Sequence, residues 1–134
     1  CDRGADRIQV FRPDGTFVKE AQIAAETVGA GATWDIAFSQ DDQQEFIYVA
    51  DGSNMKVHVV DRDSLEVLYV LGEGGRQSGL FYGTHSIVTD SRGNFYTTET
   101  YEGKRIQKFQ YRGLRPLDQI QSGPAWPEGS LIGE

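Results

Sequence analysis

A short segment of the chain occurs three times at a nearly constant spacing. In each copy an acidic residue is followed by a short polar stretch and then by a basic residue that opens a strand-like run. The acidic residues are Asp2, Asp51 and Glu99, so the step is 49 residues and then 48 residues. Internal repeats with periods of roughly 20 to 50 residues are typical of solenoids, propellers and related arrays. The spacing therefore predicts a repeat architecture.

Each full repeat contains short runs rich in β-branched and aromatic residues, separated by polar or glycine-bearing turns. The runs are 34–38, 46–50, 56–60 and 67–71 in the middle repeat, and 85–89, 95–98, 105–111 and a weaker 117–120 in the last. The first repeat has only the outer pair, 7–11 and 17–22. Four antiparallel strands are the content of one β-propeller blade. The sequence therefore predicts an all-β fold of propeller blades that form an incomplete ring.

The predicted units are the outer half of a first blade (1–32), a second blade (33–81), a third blade (82–121) and a tail (122–134) anchored by Trp126. Such a part-ring is too short to close, because propellers have typically about four to eight blades. It would leave sheet edges uncovered. Either the chain is a piece of a longer propeller, or copies associate to complete the ring. We therefore expect self-association of the chain on its own.

The charge balance makes nucleic acid an unexpected partner. The chain has 13 Lys and Arg residues against 20 Asp and Glu residues, which gives a net charge of -7, whereas nucleic-acid binding requires clustered basic residues. No apolar run approaches the roughly 18 residues of a membrane-spanning helix, so no membrane partner is expected. The single cysteine, Cys1, cannot form an internal disulfide. The compartment therefore stays open, and export is one alternative if a leader preceded Cys1.

An acidic residue and a basic residue recur together in every repeat. A feature repeated in each unit is expected to be structural, with the acid accepting backbone N–H groups at a hairpin and facing its basic partner. The expected couples are Asp2 with Arg7, Asp51 with Lys56, and Glu99 with Arg105.

Three other polar features have competing interpretations. The neighbours Asp41 and Asp42, and the pair Asp61 and Asp63, could offer calcium the oxygen ligands that it prefers, but their spacing favours solvated turns. His58 alternates with apolar neighbours, which predicts an outward strand residue rather than a ligand.

Motifs for nucleophilic catalysis and phosphate binding are absent from the sequence. There is no Gly-x-Ser-x-Gly elbow, and the glycine run 72–76 lacks the Lys and Ser/Thr of a phosphate loop. This run, which ends at Arg76, is expected to connect the outer strand of one blade to the inner strand of the next. It would pass near the ring face, where loops usually meet ligands.

The repeated motif resembles the NHL repeat. Asp2, followed after four residues by Arg-Ile-Gln-x-Phe in 7–11, resembles one half of that unit, and 85–96 resembles the other half. The resemblance covers about residues 1–121 and implies mostly six-bladed propellers. Within the family, 34–52 and 72–86 are similar to two consecutive blades of the lyase that cleaves peptidyl-α-hydroxyglycine, and to bacterial proteins related to it.

The likeness to the lyase implies a zinc centre in the central channel. His85 matches a zinc-binding histidine of the lyase, whereas Ser53 stands at the position of its catalytic tyrosine and Thr100 at that of an arginine. Tyr101 is one place away and would need a shifted turn to substitute. A catalytic zinc has about three protein ligands, and His85 supplies one. From the residues alone, His85 is either a metal ligand or a hydrogen-bonded residue that lines the channel.

Two functions of different classes follow from these features. The first is an NHL-type binding or scaffold protein, non-catalytic as an isolated chain, whose loop face meets a peptide, a protein or a small ligand. The second is a zinc-dependent lyase with its site at the central channel and His85 as metal ligand. No catalytic residue is assigned, and zinc and calcium are the candidate cofactors. The residues predicted to contact a ligand are Trp34, Asp35, Arg76, Tyr82 and Tyr101.

Overall fold

The computed structural model describes residues 1–116, which form nine β-strands and one 3₁₀ turn, Arg3–Ala5. The strands are β1 (Arg7–Phe11), β2 (Phe17–Gln22), β3 (Thr33–Phe38), β4 (Phe46–Asp51), β5 (Lys56–Asp61), β6 (Val67–Leu71), β7 (Thr84–Thr89), β8 (Phe95–Glu99) and β9 (Ile106–Phe109). The predicted strand 117–120, the tail 122–134 and the expected anchor Trp126 lie outside the described residues. No helix within residues 1–116 is long and apolar enough to cross a membrane.

The strands form three antiparallel sheets in chain order. The first sheet has the order β1-β2, the second β3-β4-β5-β6, and the third β7-β8-β9. Each strand pairs with its sequence neighbour through a short turn, and the described part of the chain contains no α-helix. The prediction of an all-β fold with antiparallel sheets is therefore confirmed. The bounds of β1, β2 and β6 agree with the predicted runs, whereas β9 is shorter than the predicted 105–111.

The second sheet is covered on both faces by the other two sheets. One apolar cluster fills the space between the first and second sheets, and a second cluster fills the space between the second and third sheets. The first consists of Ile8, Ile23, Ile47, Val49, Val60 and Leu65, and the second of Ala37, Ala50, Val57, Phe81, Ile87 and Phe95. Side chains of one strand therefore serve both clusters, as Val57 and Val60 of β5 do, because successive side chains point to opposite faces.

Two of the three expected acid-base couples are present. Arg7 Nη2 lies 2.9 Å from Asp2 Oδ2, and Arg105 Nε lies 2.7 Å from Glu99 Oε2. Arg105 also donates to the backbone carbonyls of Gly75, Arg76 and Leu80, so it fixes the loop between the second and third sheets. Both acids face their basic partners as predicted, but neither carboxylate accepts a backbone N–H among the described residues.

For the central couple, the backbone bond at the hairpin is confirmed but the ion pair is not, and the position of His58 was predicted wrongly. Asp51 is fully buried and accepts from the Asn54 backbone N–H at 2.9 Å, but an ion pair with Lys56 is not found within residues 1–116. Its second partner is His58 Nε2 at 2.9 Å. His58 is only 6% exposed, because the first sheet covers the face of β5 on which it lies.

Candidate functional site

Trp34 and His85 are the extra residues of two β-bulges at equivalent places. Trp34 is the second residue of β3, and His85 is the second residue of β7. The cross-strand pairs that flank the bulges are Thr33 with Asp51 and Asp35 with Ala50 in the second sheet, and Thr84 with Glu99 and Ser86 with Thr98 in the third. A bulge re-aims its side chain, and bulges are frequent beside functional sites. The same local distortion therefore directs Trp34 and His85 to one end of the two sheets.

The two bulge residues meet and form an aromatic cluster with Tyr101. The ring centroids of Trp34 and His85 are 5.5 Å apart at an interplanar angle of 89°, and those of Trp34 and Tyr101 are 6.4 Å apart at 76°. Arg3 adds a cation, because its Cζ lies 3.7 Å from the centroid of the indole ring. We call Trp34, His85, Tyr101 and Arg3 the aromatic corner.

Trp34 is fixed in place by two neighbouring loops. Its Nε1 donates to the Gly31 carbonyl at 2.6 Å, and the same carbonyl accepts from Ser53 Oγ at 2.7 Å. On the other loop, a Cβ atom added to Gly52 would lie 2.6 Å from Trp34 Cδ2 and 2.7 Å from the Thr84 carbonyl oxygen. Only a glycine at position 52 allows the indole ring to lie against the backbone here. The ring is therefore preorganised before any ligand arrives.

The other two rings of the aromatic corner are open to solvent. His85 is exposed, with its Nδ1 3.2 Å from Ser86 Oγ, and Tyr101 is 65% exposed. The corner thus offers aromatic surface together with the guanidinium of Arg3, the imidazole and the phenol hydroxyl. Such a combination can pack against an apolar group and donate hydrogen bonds to a polar one.

The remaining predicted ligand residues lie apart from this cluster or have other roles. Asp35 Oδ2 accepts from the Ile87 backbone N–H at 3.0 Å, so its carboxylate ties β3 to β7. Arg76 lies over the ring of Tyr82 at 5.1 Å from its centroid. Of the predicted set, the structure brings Trp34, His85 and Tyr101 together, and it pairs Arg76 with Tyr82.

Sequence reasoning missed Arg3. The repeat alignment contained a signal for it, because Arg3 follows Asp2 as Gly52 follows Asp51 and Thr100 follows Glu99. The aromatic corner draws on this loop in each of the three repeats. The loop after the acidic residue therefore supplies Arg3 and Tyr101 to the corner, while the bulged strands supply Trp34 and His85.

The residues present do not fit a complete zinc site. Within residues 1–116, no three or more His, Cys, Asp or Glu side chains are grouped so that they could hold a metal ion. A catalytic zinc has about three protein ligands, so His85 would need ligands from elsewhere. At the alternative calcium positions, Asp41 accepts from the backbone N–H groups of Gln43 and Glu45, and Asp61 accepts from that of Ser64. Both carboxylates are thus engaged in their own turns.

Comparisons with protein families and with curated proteins assign no family to the chain. No protein-family model matches the chain, and no curated protein matches it. The aromatic corner is a preformed cluster with two solvent-accessible rings, and no group of three or more metal-ligating side chains is found within residues 1–116. The rings of the aromatic corner can pack against an apolar group, and its Arg3, His85 and Tyr101 side chains can form hydrogen bonds with a polar one.

Proposed function

We propose that the chain is a binding or scaffold protein of the NHL-type β-propeller class, whose ligand meets the aromatic corner. The observation that supports this most directly is the preformed ring cluster, in which the centroids of Trp34 and His85 are 5.5 Å apart beside the 65% exposed ring of Tyr101. The bulges recur at the same place in two sheets and belong to the architecture. The support comes from the rings of Trp34, His85 and Tyr101 that they bring together. A peptide or a small molecule is the expected ligand.

The propeller part of the proposal rests on the order of the sheets. Three antiparallel sheets follow one another in chain order, and each neighbouring pair encloses an apolar cluster. Successive sheets packed face to face, each built from one sequence repeat, are the arrangement of propeller blades. In such a ring β3 and β7 would be innermost strands, and the aromatic corner would lie where they begin.

A ligand screen by nuclear magnetic resonance tests the binding site. Small molecules and short peptides are added to the full chain, and the indole N–H signal of Trp34 and the imidazole signals of His85 are followed. We expect the ligands that bind to shift both signals and to lose affinity in Trp34→Leu. The matched control is Phe17→Leu, which alters an exposed ring of the β1–β2 hairpin and should leave affinity unchanged. Ligands that bind equally well to Trp34→Leu would refute this site.

Assembly is tested separately by light scattering on the full chain. The first sheet has two strands, and Val88 and Ile106 of the third sheet are 59% and 74% exposed. Packing against a second copy would cover such surface, so we expect a dimer or a higher oligomer. Ile106→Lys should weaken it, whereas Val28→Lys, in a loop where Val28 is 87% exposed, should not. A monomer at micromolar concentration would contradict the proposed assembly. Stoichiometric zinc in the same sample would favour the lyase instead.

A further inference from the structure

Tyr101 has a backbone conformation that L-amino acids rarely adopt. Its φ is 50°, and the Gly103 N–H donates to the Thr100 carbonyl at 3.0 Å, which makes 100–103 a tight turn with Tyr101 as its first central residue. In turns with positive φ at this residue, glycine dominates. A non-glycine residue in the left-handed region costs about 1–2 kcal/mol. Tyrosine is therefore less favourable than glycine at this position of the turn.

The strain at Tyr101 is specific to the third repeat. Asp6, Met55 and Lys104 also have positive φ, but they share the repeat position just before the basic residue, so their conformation belongs to the architecture. The residues aligned with Tyr101 are Gly4 and Ser53, and neither is in the left-handed region. The loop from Glu99 to Arg105 is also one residue longer than its counterparts. Both departures from the repeat occur at the aromatic corner.

Packing within the chain offsets only part of this strain. Tyr101 is 65% exposed, its ring passes over Gly83, whose added Cβ would lie 3.2 Å from Tyr101 Cδ2, and it meets Trp34 edge-on. Strained residues that the surrounding structure holds in place cluster at ligand clamps and active sites. Tyrosine is also well suited to contact a partner, since it offers a large rigid surface with few rotatable bonds.

We propose that Tyr101 is held in this conformation in order to contact a ligand, and that the ligand presents an aromatic side chain of a peptide to the aromatic corner. This inference rests on the function proposed above. The rings already present meet at 89° and 76°, and a further neutral ring extends the same edge-to-face packing. Such aromatic pairs are favoured over other apolar contacts of equal area.

The test compares N-acetylphenylalaninamide with N-acetylalaninamide as probes of the full chain. Binding is followed through the Trp34 and His85 signals, and stability through the melting temperature. We expect the phenylalanine probe to bind more tightly than the alanine probe. Tyr101→Gly and Tyr101→Asn should weaken it by about three- to tenfold, with a melting temperature no lower than that of the original chain, because both residues accept positive φ.

Gln44→Gly is the matched control. Gln44 is exposed, has a φ of 50° and lies in the β3–β4 turn, so relieving its strain should stabilise the chain without changing affinity. A lower melting temperature with unchanged affinity in Tyr101→Gly and Tyr101→Asn would make Tyr101 a packing residue and overturn the inference. Equal binding of both probes would overturn the ligand class. In either case, ligands that depend on Trp34 would still support the proposed function.

Discussion

Replacing Asp51 by alanine should be far more damaging than replacing Asp2, although the two residues occupy the same repeat position. Asp51 is fully buried, whereas the side chain of Asp2 is 40% exposed beside that of Arg7, which is 33% exposed. The Asp51 carboxylate accepts from the Asn54 backbone N–H, from Asn54 Nδ2 and from His58 Nε2. Asn54 Nδ2 keeps a second acceptor in Thr27 Oγ1. In Asp51→Ala, the Asn54 backbone N–H and His58 Nε2 are therefore the two donors that lose their only described acceptor.

The magnitude follows from these two donors. Each unsatisfied donor costs about 1–3 kcal/mol when it is buried, and the Asn54 N–H is only partly buried, so Asp51→Ala should lower the free energy of unfolding by about 2–4 kcal/mol. An exposed ion pair contributes about 0–1 kcal/mol, so Asp2→Ala should lower the free energy of unfolding by no more than about 1 kcal/mol. Urea denaturation of both variants measures the difference. If the two variants had free energies of unfolding within about 0.5 kcal/mol of each other, the burial of Asp51 would not explain its contribution to stability.

Three further predictions concern single positions. Gly52→Ala should displace Trp34 and weaken ligand binding at the aromatic corner, whereas Gly4→Ala, whose Cβ would meet nothing within 4 Å, should change stability by less than about 0.5 kcal/mol; thermal melts and the ligand titration measure both. His58→Gln should unfold at nearly the same urea concentration as the original chain, while His58→Ala should not, because an amide can replace the imidazole N–H. The Asn94 side chain, the Arg92 backbone N–H and the Tyr96 hydroxyl donate to Asp90 and hold its pKa down at about 2. This carboxylate therefore stabilises the fold above its unfolded pKa near 4 and loses that effect as the pH falls toward 2. Melting temperatures of Asp90→Asn should therefore depend less on pH between about 4 and 2.

The strands could be predicted closely because their ends have local causes. β1 and β2 flank the residues Pro13, Asp14 and Gly15, which favour a turn and so end one strand before the next begins. β9 ends before its predicted limit because the Tyr111 backbone N–H donates to Asn94 Oδ1 at 3.0 Å instead of continuing the ladder. That bond joins residues far apart in the sequence. The alternation of apolar and polar residues therefore does not reveal this hydrogen bond.

The aromatic corner could be predicted only in part. Trp34, His85 and Tyr101 were identified as candidates, but their proximity depends on two bulges. A bulge shifts the alternation of apolar and polar residues by one, which a strand of six residues is too short to reveal. His58 was placed outward because alternation assumes that one face of a sheet is solvated. The second sheet has two buried faces, so the assumption does not hold there.

A sheet covered on both faces has a weakness that a half-solvated sheet does not share. When only one face is apolar, sliding a strand by one residue exposes its apolar set to water, and this cost fixes the alignment. In β4 most residues of either parity are apolar, so a β4 strand slipped by one residue would still bury apolar side chains. The polar bonds of Asp51 to Asn54 and His58 can form only in the native alignment. One carboxylate thus selects among pairings that hydrophobic burial barely distinguishes.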